Sequence, residues 1–359
     1  MLTYEEILQI PPYSLNKQFK DKLLTEQLLE LTRHHAQHCR EYKNILDATK
    51  FAENSVRCIE DIPFLPVRLF KDLELKSVSD ENIFKVMTSS GTTGQKVSKI
   101  FLDKETSALQ QKTLVKIVTD FTGKARLPML IIDSPSVLKD RAMFSARGAG
   151  ILGFSIFASD RKFAFDEDMN IDVEGIQAFV EKHRGKPILM FGFTFMVWKH
   201  LYENIIKKNI TLDISGGILI HGGGWKKLKD EAVSPHVFNE SLKRVCNLSQ
   251  IYDYYGMVEQ TGCIYMQCEQ GHLHSSIFSD VIMRRTEDFS VCDIGEKGMI
   301  QVLSLLPKSY SGHSILTEDE GTLLGIDNCS CGRLGKYFKI EGRLKNAEVR
   351  GCSDTYERR

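Results

Sequence analysis

Three short apolar runs, residues 127–132, 187–192 and 217–220, restrict the fold of this chain more than any other feature. Segments with helical spacing of apolar residues separate them, as in 176–182 and 195–207. A strand buried on both faces reads as a continuous apolar run, and strands joined through helices assemble into a largely parallel sheet. The class expected is therefore α/β. In such sheets ligands sit beyond the carboxyl ends of the strands, so polar and glycine-rich residues directly after an apolar run are site candidates. Three strands end in that way. Val86-Met87 leads into Thr88-Ser89-Ser90-Gly91-Thr92-Thr93-Gly94, the run 218–220 into His221-Gly222-Gly223-Gly224-Trp225, and 251–254 into Tyr255-Gly256-Met257-Val258-Glu259.

The flanks differ from this centre. Residues 1 to about 60 carry amphipathic helical spacing, and Pro63 and Pro66 end it by removing donors and biasing their predecessors to extended backbone. From about residue 280 the pattern shortens into strands and turns, which predicts a smaller β-rich subdomain. With 359 residues, two or three packed subdomains are expected. The 47 basic and 47 acidic residues balance, which argues against electrostatically driven binding of nucleic acid. No apolar run nears the roughly 20 residues that a membrane span requires, and acidic residues stand where a signal peptide carries base. A cytoplasmic enzyme is expected.

The Ser/Thr/Gly stretch 88–94 offers hydroxyls and N–H groups on a tight turn, a combination suited to an anion. It is no Walker loop, because Gly91 and Gly94 are too close and Gln95 follows where Lys is required. Taken alone, it is equally readable as a polyphosphate cradle or an ordinary polar hairpin. The nine cysteines, without a signal peptide, argue for free thiols, metal ligands or a nucleophile. Cys39, Cys58, Cys246 and Cys292 stand alone and read as small buried apolar residues. Cys268-x5-His274 followed by Cys329-x-Cys331-Gly332 supplies four ligands, enough for a closed tetrahedral structural zinc site. Unligated loop residues are the alternative, and Cys263 and His272 are near enough to replace a ligand.

Read in order, the stretch 88–94, Gly222-Gly223-Gly224-Trp225, Tyr255-Gly256-Met257-Val258-Glu259, Thr317-Glu318-Asp319 and Gly342-Arg343 resembles the adenylate-forming acyl ligase superfamily. Within it the chain is most similar to acyl-protein synthetases of the LuxE type, related to phenylacetate-CoA ligases. The strings 146–155, Gly192-Phe193-Thr194-Phe195, 255–262 and Arg350-Gly351-Cys352-Ser353-Asp354 carry that likeness, which covers almost the whole chain. The resemblance implies a ligase large domain with mostly parallel sheets flanked by helices, plus a smaller β-rich subdomain. It divides the chain into a helical flank (1–75), a nucleotide- and acyl-binding core (76–280), a β-rich subdomain (281–340) and a truncated hinge and tail (341–359), with the mobile C-terminal domain of full-length ligases absent or vestigial.

The activity implied is activation of a fatty or other apolar carboxylic acid by ATP and Mg²⁺ to an acyl-adenylate, then transfer to a thiol. The Ser/Thr loop would grip phosphates and Gly222, Gly223 and Gly224 would let backbone approach the purine. Tyr255, followed by Gly256, would stack on adenine, and Glu259 would hold Mg²⁺. Asp319 would take the ribose hydroxyls, although Glu318 replaces the family's glycine, and Arg343 would serve ribose or phosphate beside a hinge at Lys345. With the lysine-bearing domain missing, Lys96 or Lys99 is the expected substitute cation. The phenylacetate ligase relatives carry a similar zinc pattern.

Cys352 matches the cysteine that LuxE-type enzymes acylate, and Arg350 beside a glycine would favour its thiolate. That reading implies a partner acyl reductase. Transfer to coenzyme A or a carrier protein, and a non-catalytic nucleotide-binding scaffold, remain alternatives, as does assembly into a homo-oligomer. Arg147 is open between the acyl or phosphate side and an ion pair, and His221 between substrate contact and burial. Phe193, Phe195, Met196 and Trp198 are open between an acyl tunnel and core.

Overall fold

The apolar runs do form a parallel sheet. In the computed structural model, which describes residues 1–89, 96–123, 126–138, 146–225 and 231–344, the chain divides into two units. Among the described residues one unit holds 1–89, 96–120 and 256–344, and the other 121–123, 126–138, 146–225 and 231–255. Residues 1–75 and 281–340, expected as separate segments, thus share a unit. Strands are labelled in chain order. The second unit contains β4 (Leu127–Ile131), β5 (Ala158–Phe163), β6 (Leu189–Phe193), β7 (Ile218–Gly222) and β8 (Gln250–Tyr255). They lie in the order β5-β4-β6-β7-β8, every pair parallel.

β4, β6 and β7 are buried along their whole length, as continuous apolar runs require. On one face Leu130, Met190 and Leu219 pack against Ile176 and Phe179 of the helix Val173–Lys182 and Phe238 and Leu242 of the helix Pro235–Cys246. Each fully buried side chain of this size contributes roughly 1.5–3 kcal/mol. Local signals position these helices. Asp172 Oδ1 accepts from Gly175 N at 2.9 Å, and Ser234 Oγ accepts from Val237 N ahead of Pro235. Asn247, at φ 51°, ends the latter helix in left-handed backbone. After β6 the chain winds as a π-helix, Met196–Tyr202, whose Met196 and Trp198 lie in the core cluster. Phe193 joins that cluster, and Phe195 packs against it.

The first unit is built on an antiparallel sheet of β9 (Tyr265–Gln267), β10 (Leu273–His274), β11 (Ser279–Arg284), β12 (Lys297–Ser304), β13 (Ser314–Ile326) and β14 (Lys336–Arg343), ordered β11-β12-β13-β14-β10-β9. β1 (Leu65–Pro66) adds in parallel to β13, and β2 (Lys85–Thr88) and β3 (Lys99–Leu102) form their own hairpin. The N-terminal helices Lys17–His38 and Arg40–Ala48 are tied to this sheet by buried polar groups. Lys20 Nζ donates to Ser275 Oγ at 2.8 Å and shares buried Asp280 with Lys336, at 3.7 and 3.8 Å. The His35 and His313 rings stack at 5.0 Å, both fully buried. His35 Nε2 donates to the Pro307 carbonyl at 3.0 Å, and His313 Nε2 lies 2.9 Å from Thr32 Oγ1. Burial holds both rings below the ordinary imidazole pKa, so they are neutral.

Candidate functional site

The carboxyl ends of β6, β7 and β8 bring Thr194, His221, Gly222 and Tyr254 together. A side chain on Gly222 would meet the Tyr254 ring at 2.4 Å, and Gly223, at φ +76°, abuts Phe193. Gly224 faces open space. Two of the three expected glycines are therefore demanded by close packing or backbone sign, and the third is not. Tyr255 closes β8, half-buried, and Gly256 beside it is exposed. Thr194 Oγ1 lies 3.0 Å from His221 Nδ1 and 3.3 Å from the Gly222 carbonyl oxygen. The His221 ring packs on Phe238 at 4.6 Å, and burial pushes its pKa down to about 3. Of the two readings of His221, the buried one holds. Arg147 is buried too, its Nε 2.9 Å from Asp133 Oδ2 just beyond β4, which is the ion-pair reading.

In the first unit Thr88 ends β2 opposite Lys99 of β3. Ser89 closes the base of the loop that follows. Its Oγ accepts from Ser98 N at 2.9 Å, and its N–H donates to the Ser98 carbonyl at 3.1 Å. Lys96 is exposed and pairs with Asp72 at 3.0 Å. Ser90, Gly91, Thr92, Thr93, Gly94, Lys345 and Cys352 lie outside the described residues.

Glu259 sits buried in the turn Val258–Gln260. Tyr310 Oη donates to the Glu259 carbonyl at 2.9 Å, while Gln260 Nε2 donates to the carbonyls of Val302 and Gly312, so the sheet fixes the backbone of this turn. Thr261 Oγ1, one residue beyond it, lies 4.0 Å from Met87 Sδ. The Glu259 turn therefore abuts β2 immediately before the Ser/Thr loop. The Glu259 carboxyl group has the oxygen donor type that a hard divalent cation takes together with phosphate.

Asp319 and Arg343 are cross-strand partners on β13 and β14, with Arg343 Nε donating to Asp319 Oδ1 at 3.0 Å. Asp319 N donates to Thr317 Oγ1, and Arg68 Nε donates to Glu318 Oε1 at 2.8 Å. Arg68 was not foreseen. It follows β1, whose pairing with β13 sets it beside Glu318, and no sequence signal links two residues so distant in the chain.

Cys268, His274, Cys329 and Cys331 converge, their ligand atoms all within 4.8 Å of one another. Four ligands around zinc with bonds of about 2.3 Å place tetrahedral sulfur pairs about 3.8 Å apart. Cys268 Sγ and Cys329 Sγ are 3.9 Å apart, and Cys331 Sγ is 3.4 Å from His274 Nε2. Burial pushes the Cys268 thiol well up and the His274 imidazole down to about 3. The first makes an unaided thiolate unfavourable, so a bound cation is what would deprotonate it; the second keeps the ring neutral, as a ligand must be. The residues fit zinc. Cys263 stands apart, accepting from Ser304 Oγ at 3.1 Å, and His272 Nδ1 lies 3.4 Å from Cys329 Sγ. Of the four isolated cysteines, Cys39, Cys246 and Cys292 are buried as expected, whereas Cys58 is half-exposed beside Asp61.

A parallel α/β unit together with an antiparallel unit is the fold of the adenylate-forming ligases. A 2-hydroxyisobutyryl-CoA ligase, in an open conformation with 2-HIB-AMP and CoA, has a TM-score of 0.70 at 14% identity, over 93% of this chain and 77% of that one. The same ligase in its postadenylation state with R3-HIB-AMP gives 0.68 at 14% identity, over 92% and 69%.

The profile of the acyl-protein synthetase family, LuxE, matches residues 3–359, and the chain belongs to that family of ligases. It is 24% identical to the long-chain-fatty-acid--luciferin-component ligase of Aliivibrio fischeri over 348 residues, 94% of this chain and 87% of the relative. It is 23% identical to that of Vibrio harveyi over 354 residues, 95% and 88%. No helix among the described residues is long and apolar enough to cross a membrane.

Proposed function

We propose that this ligase activates a long-chain fatty acid with ATP and Mg²⁺, captures the acyl group on Cys352 and hands it to a partner acyl reductase. The observation that carries the activation step is the contact of Thr261, two residues beyond Glu259, with Met87 of β2, the strand that enters the Ser/Thr loop. The relatives named as long-chain-fatty-acid ligases support the choice of acid. The solved relative that holds 2-HIB-AMP and CoA supports an adenylate followed by a thiol acceptor.

In this reading the loop 88–94 holds the phosphates through its hydroxyls and N–H groups. Glu259 would hold Mg²⁺, which supplies charge neutralisation at the phosphates when bound. Arg343 orients the Asp319 carboxylate, through their 3.0 Å contact, toward the ribose hydroxyls. Tyr255 stacks on adenine, with the backbone of Gly222, Gly223 and Gly224 approaching the purine. Lys96 and Lys99, exposed near the ends of the loop, are the cations for the displaced pyrophosphate. The fatty carboxylate oxygen attacks the α-phosphorus, pyrophosphate leaves, and the Cys352 thiolate then attacks the acyl carbon with loss of AMP. Zinc at Cys268, His274, Cys329 and Cys331 would be structural.

The test is acid-dependent exchange of labelled pyrophosphate into ATP, followed by a search for hydroxylamine-labile acyl protein. Both signals are expected with a long-chain acid. Exchange with label passing only to coenzyme A or a carrier thiol would replace Cys352 as the acceptor, and nucleotide binding without exchange would mean a scaffold.

A further inference from the structure

The four-residue cluster is not evenly protected. Cys268, His274 and Cys329 are buried, but Cys331 is half-exposed and helps line a recess of about 440 Å³ together with Tyr13, Ser14, Asp120, Glu269 and Arg333. His272 Nδ1 lies 3.4 Å from Cys329 Sγ, and Cys331 Sγ accepts from the backbone N–H of Arg333 at 3.5 Å and lies 3.4 Å from His274 Nε2. The Arg333 side chain bonds to Cys331 as well. The Arg333 guanidinium is held by Glu269 at 3.0 Å and Asp120 at 3.3 Å, and it lies over the Tyr13 ring. These pairings anchor it to the wall of the recess. The recess is far larger than a water molecule, which occupies about 30 Å³ in the liquid, so a small peroxide fits.

We infer that Cys331 is a reactive thiolate of the cluster, through which hydrogen peroxide opens the site by forming a disulfide. The inference rests on the zinc reading given above. A thiolate is the nucleophilic form of cysteine, and exposure selects which thiolate is oxidised. Cys331 Sγ attacks one peroxide oxygen, the O–O bond breaks, and hydroxide leaves, giving a sulfenic acid. The thiolate of Cys268 or Cys329, each within 4.8 Å, then attacks that sulfur and displaces a second hydroxide, forming the S–S bond. Two thiolates are oxidised and one peroxide is reduced to two hydroxide ions, which take up protons as water. With two of its four donors joined, the cluster cannot retain zinc. A dithiol reductant reverses the disulfide and restores the ligands. The loop concerned is also fastened to the N-terminal segment, since Leu334 N donates to the Tyr13 carbonyl at 3.0 Å.

The experiment uses the full chain as purified, with zinc counted by elemental analysis. Peroxide is added with a chromogenic chelator and with dimedone, which traps sulfenic acid, and peptides are mapped by mass spectrometry. The expected result is stoichiometric zinc release, first dimedone adduct on Cys331, a disulfide containing Cys331 when dimedone is omitted, and zinc uptake again after reduction. Narrowing the recess with Ser14→Trp should slow release several-fold while leaving zinc content unchanged, a readout independent of whether Cys331→Ser folds. First adduct on Cys268 or Cys329, or zinc retained while other cysteines are modified, overturns this inference alone. A chain that binds no zinc overturns the zinc reading, and this inference with it.

Discussion

Gly222 and Gly224 are neighbours in composition and opposites in consequence. A methyl group at Gly222 lands on the Tyr254 ring, whereas one at Gly224 meets nothing within 4 Å. Gly222→Ala is expected to lower stability by about 1–3 kcal/mol, the usual cost of overpacking, and Gly224→Ala to leave the urea midpoint nearly unchanged. The buried histidines make a second prediction at this scale. His35 and His313 are neutral in the fold, with His313 pushed down to about 3 by burial, while the unfolded chain titrates near 6.5. Between those values the unfolded state binds more protons. Stability is thus present above about pH 6.5 and is lost as pH falls toward 3, by up to about 1.4 kcal/mol per pH unit for each ring. Urea denaturation from pH 7 to 5 should show that slope, and His313→Gln should reduce it. A slope unchanged by the substitution would place the acid sensitivity elsewhere. Neither effect is legible in the sequence, because histidine and glycine acquire these properties only from what packs against them.

The hairpin of β13 and β14 carries candidate residues at both of its ends. At one end Asp319 faces Arg343, and at the other the loop 327–335 carries Cys329 and Cys331. Register irregularities lie between, at Glu320/Gly321 and Leu323/Gly325, so pairing at one end does not by itself fix pairing at the other. A metal bound by the four-residue cluster would hold the strands in register. Removing zinc by chelation is therefore expected to lower hydrogen-exchange protection of 336–343 and to raise the KM for ATP about tenfold, equivalent to about 1.4 kcal/mol. Unchanged protection would uncouple the cluster from the hairpin. The elements found by sequence were those with an unbroken apolar run, namely β4, β6 and β7, which are buried along their whole length. β5 was missed because it is an edge strand, and Asp160, Arg161 and Lys162 break any apolar pattern there. The likeness of Asp319 and Arg343 to the family's motifs was readable, but their pairing with each other was not.

For the molecule as a whole, the proposed function makes activation and thiol capture separable steps. Cys352→Ser should abolish hydroxylamine-labile acyl protein while pyrophosphate exchange persists at near wild-type rate, because the adenylate forms before the thiol acts. Asp319→Asn should impair both, cutting exchange ten- to a hundredfold and with it the label. Loss of exchange in the Cys352 variant would mean that the cysteine serves the first step. The amino-acid sequence by itself determined the α/β class, the parallel strands and the ordered motifs that mark the family, since burial periodicity and glycine-rich strand ends are local properties of the chain. Only the tertiary structure decided that Arg68 meets Glu318, that the Glu259 turn lies against β2, that His221 is buried and neutral, and that one cysteine of the cluster opens on a recess. Those are matters of distance and desolvation between residues far apart in the chain, and no local pattern encodes either.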